Sequence, residues 1–180
     1  MRKKLAAVVL LVALVLPYSC DTSPIRGSRA GPLTTLMFGI PVLVTIAYSL
    51  HQLWPALARF HERNGAALHG AFRALCLVLI GMYIGAALTE ESSPRGRIAT
   101  AASVLVAGGL LYWQQGRGTK AQRLPLLLLT VVGTAAVMVF VSFVGVGLQY
   151  GAWVFTGAWV WAVGLEVADL GTAARVSHGG

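Results

Sequence analysis

Glu166 and Asp169 stand three residues apart, a spacing that puts both carboxylates on one face of a helix. His51 closes another apolar stretch, and by the topology derived below it reaches the same membrane depth. An imidazole beside two carboxylates is chemistry for a proton relay or a cation site, and ionisable groups near hydrocarbon are costly enough to mark function. The competing reading is an interfacial salt bridge to Arg59 or Arg63, because Glu166 lies only about four residues, or about 6 Å, from the expected end of its helix.

Other chemistry is sparse. The segment Pro55–Arg73 holds His61, Glu62 and His69, but eight residues separate the two histidines and no HExxH spacing occurs. Cys20 and Cys76 form no CxxC pair, and no GxSxG, P-loop or dinucleotide glycine fingerprint is present. No metal, cofactor or catalytic set is therefore predicted, and the expected function is non-enzymatic.

The elements that position these residues follow from the composition. The chain is 57% hydrophobic and 11% charged, against about 25% charged for an ordinary soluble domain. That balance excludes a soluble enzyme of normal type, a disordered chain and a disulfide-rich secreted scaffold, and it makes the lipid bilayer the main solvent. The 14 basic residues occur in short runs between uncharged stretches, so the net charge of +8 reflects membrane topology rather than nucleic-acid binding.

Charge-free intervals predict spans at about 33–54, 72–88 and 98–113. The interval Leu124–Leu165 has 42 residues without a formal charge. As one helix it would be about 63 Å long, roughly twice the hydrocarbon thickness, so two spans are required, at about 124–147 and 152–170. Gly145, Gly147, Gln149, Tyr150 and Gly151 supply the break, and Pro125 is expected in the first turn of the span it opens. The fold expected is an all-α polytopic bundle of five or six short transmembrane helices with no soluble domain and a flexible tail over 171–180.

Residues 1–20 read either as a signal-like segment or as a first transmembrane helix: Arg2, Lys3 and Lys4 precede a short apolar run, Leu5 to Leu16. Ser19 before Cys20 resembles the bacterial lipoprotein signal. That pattern places leucine three residues before the cysteine, where this chain has Pro17, and Tyr18 is bulky for the next slot. Lipidation of Cys20, cleavage without lipidation and retention of the segment as a helix all fit the residues.

With six spans and the N-terminus inside, ten basic residues fall on the cytoplasmic side and four outside, which predicts both termini in the cytoplasm of a cell (inner or plasma) membrane. Trp54, Tyr112, Trp113, Tyr150 and Trp153 fall at span ends, where the headgroup level suits them, whereas Trp159 and Trp161 lie deeper as packing or groove-lining residues. Pro55–Arg73 reads as a short basic interfacial helix broken at Asn64 and Gly65.

Small residues allow close helix approach in lipid. Gly81 and Gly85 form a GxxxG, and Gly133, Gly157 and Gly164 thin the last two spans; they serve packing within the bundle or association with a second chain. Pro41 inside span two removes an amide donor and is a candidate hinge. The leading expectation is a packing or assembly component whose partners are the bilayer and other membrane proteins or further copies of itself. The alternative is a small-solute or ion transporter or channel working through His51, Glu166 and Asp169.

Overall fold

The computed structural model describes residues 1–17, 32–89, 93–144 and 147–178, with side chains excepted at 32–38 and 173–178. Cys20, the candidate lipidation site, lies outside them, as do Glu90, Glu91 and Gly145. The described residues form seven helices: α1 (Arg2–Ala13), α2 (Pro32–Leu53), α3 (Pro55–Arg63), α4 (Gly65–Leu88), α5 (Pro94–Trp113), α6 (Lys120–Phe143) and α7 (Tyr150–His178). Helices α4, α5, α6 and α7 are long and apolar enough to cross a membrane, and α2 with α3 forms a fifth candidate bent by 107°.

Helix boundaries follow local chemistry. Pro55 forces Trp54 into an extended conformation, so α2 stops and α3 departs at the sharp angle. Ser93 caps α5 by accepting from the Gly96 amide, with Pro94 at the first helical position. Thr119 and Gln122 form a reciprocal capping box at α6. The tight connection before it turns at Gly116 (φ 75°) and Gly118 (φ 63°), where a side chain would be strained.

Helix α6 is the axis of the bundle. Thirteen consecutive residues over 124–136 are buried, so it is enclosed on every side, and it packs on α2, α3, α4, α5 and α7. Its hydroxyls find partners within the helix: Thr130 Oγ1 donates to the Leu126 carbonyl and Thr134 Oγ1 to that of Val131. Trp159 of α7 lies across Gly133 and donates its indole N–H to the Leu129 carbonyl at 2.8 Å. Trp161 is partly exposed, and Trp54, Tyr112, Tyr150 and Trp153 are exposed near helix ends.

Helix α1 is an integral element of this packing. Ala6, Ala7, Leu10 and Ala13 form one helical stripe, all fully buried against α2 and α7. At its far end the Gly151 amide donates to the Pro17 carbonyl at 3.2 Å, and a Cβ on Gly151 would lie 2.9 Å from that of Leu16.

Several boundaries differ from expectation. Helix α4 begins two turns before residue 72, because Ala66, Ala67 and Leu68 sustain a helix where counting back from Arg73 ended the span. Helix α6 begins at Lys120, which moves Pro125 from the first turn into the second. Helix α7 continues to His178, through most of the segment expected as a flexible tail.

Candidate functional site

The N-terminal end of α1, the C-terminal end of α2 and the second half of α7 meet at one end of the bundle. Glu166 is 3% exposed there. Its Oε2 accepts from Lys3 Nζ at 2.8 Å, and its Oε1 accepts from Gln52 Nε2 at 3.0 Å and from the Tyr48 hydroxyl at 3.3 Å. Lys3 Nζ also reaches Asp169 Oδ2 at 2.5 Å. The spacing explains the convergence: Tyr48 and Gln52 are one turn apart on α2, Glu166 and Asp169 share a face of α7, and Lys3 heads the buried stripe of α1. One ammonium beside two carboxylates leaves this cluster a formal charge of −1.

His51 lies on the same turns of α2 but faces another partner. Its Nδ1 is 3.0 Å from Nδ1 of His61, and the rings stack with centroids 4.8 Å apart at 20°. One of these nitrogens must carry hydrogen and the other must accept, so the contact requires a neutral imidazole. This ring pair ties α3 back onto α2 across the bend.

The structure thus joins Glu166 and Asp169 through Lys3 and sets His51 beside them in a separate pair. The salt-bridge partner is Lys3 rather than Arg59 or Arg63; Arg59 Nε donates instead to the Pro55 carbonyl at 3.4 Å. Sequence reasoning treated Lys3 as an orienting charge and passed over Tyr48 and Gln52. The available signal was their spacing, since both lie within one turn of His51. Among the described residues, no group of three or more His, Cys, Asp or Glu side chains is arranged to hold a metal ion.

The predicted packing residues divide into two groups. Gly133 receives the Trp159 ring, whereas a Cβ at Gly81, Gly85, Gly157 or Gly164 would meet nothing within 4 Å. Gly65, which sequence reasoning read only as a helix breaker, is a tight contact: its Cβ would lie 2.6 Å from that of Ala121. Pro41 is buried inside a continuous α2, where its carbonyl accepts from Thr45 Oγ1 at 2.8 Å. The chain matches no protein-family model, no curated protein and no solved structure.

Proposed function

We propose that the protein is a non-catalytic packing or assembly component of a cell membrane, associating with other membrane proteins or further copies of itself through the outward face of α4. The supporting observation is the placement of Gly81 and Gly85, both exposed and free of neighbours within 4 Å. Glycine costs a helix about 1 kcal/mol relative to alanine, and lipid tails give nothing back for a missing side chain. A second helix does, because small residues let backbones approach closely. Exposed Gly70 and Ala74 extend the same face toward the other end of α4.

Gly81→Leu and Gly85→Leu should abolish this association in membrane cross-linking or partner capture. The monomer should keep its fold, because each new side chain enters open space. If both variants associate like wild type, the α4 face is not the contact.

A second reading, ion or proton transport, is favoured by the buried Glu166 cluster and its residual negative charge. Glu166→Gln preserves size and most hydrogen bonding but removes the charge. In reconstituted vesicles it should reduce ion or proton flux to background; unchanged flux removes Glu166 from any transport mechanism.

A further inference from the structure

We propose that the adjoining N-terminal ends of α4 and α6 form a binding site for a phosphate group, supplied by the headgroup of an anionic phospholipid. The two helix starts are in contact at a glycine. A Cβ on Gly65 would lie 2.7 Å from the Ala121 Cα as well as against its Cβ, a proximity that only glycine allows. Both helices are 24 residues long, so two positive dipole ends stand side by side.

The two ends are satisfied differently. Helix α6 closes its first turn with the Thr119–Gln122 capping box. Helix α4 has no side-chain cap: Asn64, which precedes it, turns back and donates from Nδ2 to the Phe60 carbonyl at 3.0 Å. Gly65 is buried against α6, so the first-turn amides open to an external acceptor are those of the exposed Ala66 and Ala67.

One turn further along α4, His69 is 8% exposed and its Nε2 has no hydrogen-bond partner. Arg73 stands one turn beyond His69 on α4, and Lys120 and Arg123 stand in the first turn of α6, so three cations from two helices act electrostatically on a residue whose buried nitrogen lacks a partner. Arg123 is held in place, donating from Nε and Nη2 to the Gly118 carbonyl at 3.2 and 2.9 Å. Arg73 and Lys120 are exposed, and among the described residues no carboxylate lies within ion-pair distance of Arg73, Lys120 or Arg123.

Three cations, two helix dipoles and uncapped amides suit a group with several acceptor oxygens and a full negative charge, which is phosphate chemistry. The site sits where spanning helices begin, at headgroup depth, so a phospholipid can present its phosphate while its acyl chains lie along the bundle. This differs from diffuse attraction of a basic loop to a surface, because its donors belong to two helices fixed against each other.

The test uses the full-length protein in neutral detergent, titrated with phosphatidylglycerol, with phosphatidylcholine and, separately, with inorganic phosphate at constant ionic strength. Binding is read by native mass spectrometry and by the thermal midpoint. Phosphatidylglycerol should bind and raise the midpoint, whereas phosphatidylcholine should not. The R73Q/K120Q variant should bind phosphatidylglycerol at least tenfold more weakly, with its far-ultraviolet spectrum unchanged, while R95Q at the opposite end of the bundle should bind like wild type. Equal response to the two lipids, or undiminished binding by R73Q/K120Q, overturns the site. Stabilisation by inorganic phosphate matching that by phosphatidylglycerol, and lost in R73Q/K120Q, keeps the phosphate site and overturns the lipid as its source.

Discussion

Lys3→Met is expected to destabilise the folded bundle by about 3 kcal/mol, because breaking a buried ion pair leaves the surviving charge without its counter-ion. Glu166 is the member of the pair that cannot reach water: its side chain is 4% exposed, against 30% for Lys3. In the variant Tyr48 and Gln52 still donate to Oε1, but Oε2 loses its partner. The partial exposure of Lys3 and these surviving donors keep the expected loss at the lower end of the range for buried pairs.

Removing both charges should recover much of that loss. Lys3→Met combined with Glu166→Met replaces the pair with apolar volume, an exchange that is often neutral for buried pairs. Asp169→Asn should cost less than about 1 kcal/mol, because the Asp169 side chain is 64% exposed and its ion pair is solvated. Denaturant titration of the four proteins in detergent checks the pattern, and a Lys3→Met variant as stable as wild type would show that α1 is not anchored through Glu166. A loss in Lys3→Met that the double variant does not recover would place the effect in α1 packing rather than in the charge.

Gly133→Leu should be the most damaging single substitution in the apolar interior, with a loss of about 3 kcal/mol or more from overpacking. A Cβ at this position would lie 2.9 Å from Cε2 of Trp159 and closer still to a second indole atom, even before the rest of a leucine side chain is added. The indole has no open space to turn into, because Trp159 is buried and its N–H is bonded to the Leu129 carbonyl one turn earlier on α6. Relief therefore requires α6 and α7 to separate.

Two variants at the other side of the contact divide its energy. Trp159→Phe keeps most of the ring and removes the hydrogen bond, worth about 1 kcal/mol. Trp159→Ala should cost about 2–3 kcal/mol, below the 3–5 kcal/mol typical of soluble cores, because the unfolded reference in a bilayer keeps its apolar surface in lipid and loses only packing. The expected order of midpoints is wild type, Trp159→Phe, Trp159→Ala and then Gly133→Leu. A Gly133→Leu protein with a wild-type midpoint would mean that Trp159 does not seat on α6.

The apolar helices were legible from composition and charge spacing alone. A stretch of 42 uncharged residues cannot be one helix in a bilayer, and the chain divides it into α6 and α7, with the break between Phe143 and Tyr150. The kinship of Glu166 with Asp169 was equally legible, because helical spacing is local. Their partner was not. Lys3 lies 163 residues from Glu166, and nothing in a run of basic residues tells which one turns inward.

The glycines show the same division between local and tertiary information. Sequence marked Gly81, Gly85, Gly133, Gly157 and Gly164 alike, since each offers the same missing side chain. Tertiary packing seated an indole on Gly133, pressed Gly65 against Ala121 and left the other four facing open space. Periodicity and charge spacing report how each helix meets its solvent, which the bilayer fixes for every span in the same way. Which helix face meets which is set by shape complementarity between segments far apart in the chain, and that appears only when they are packed together.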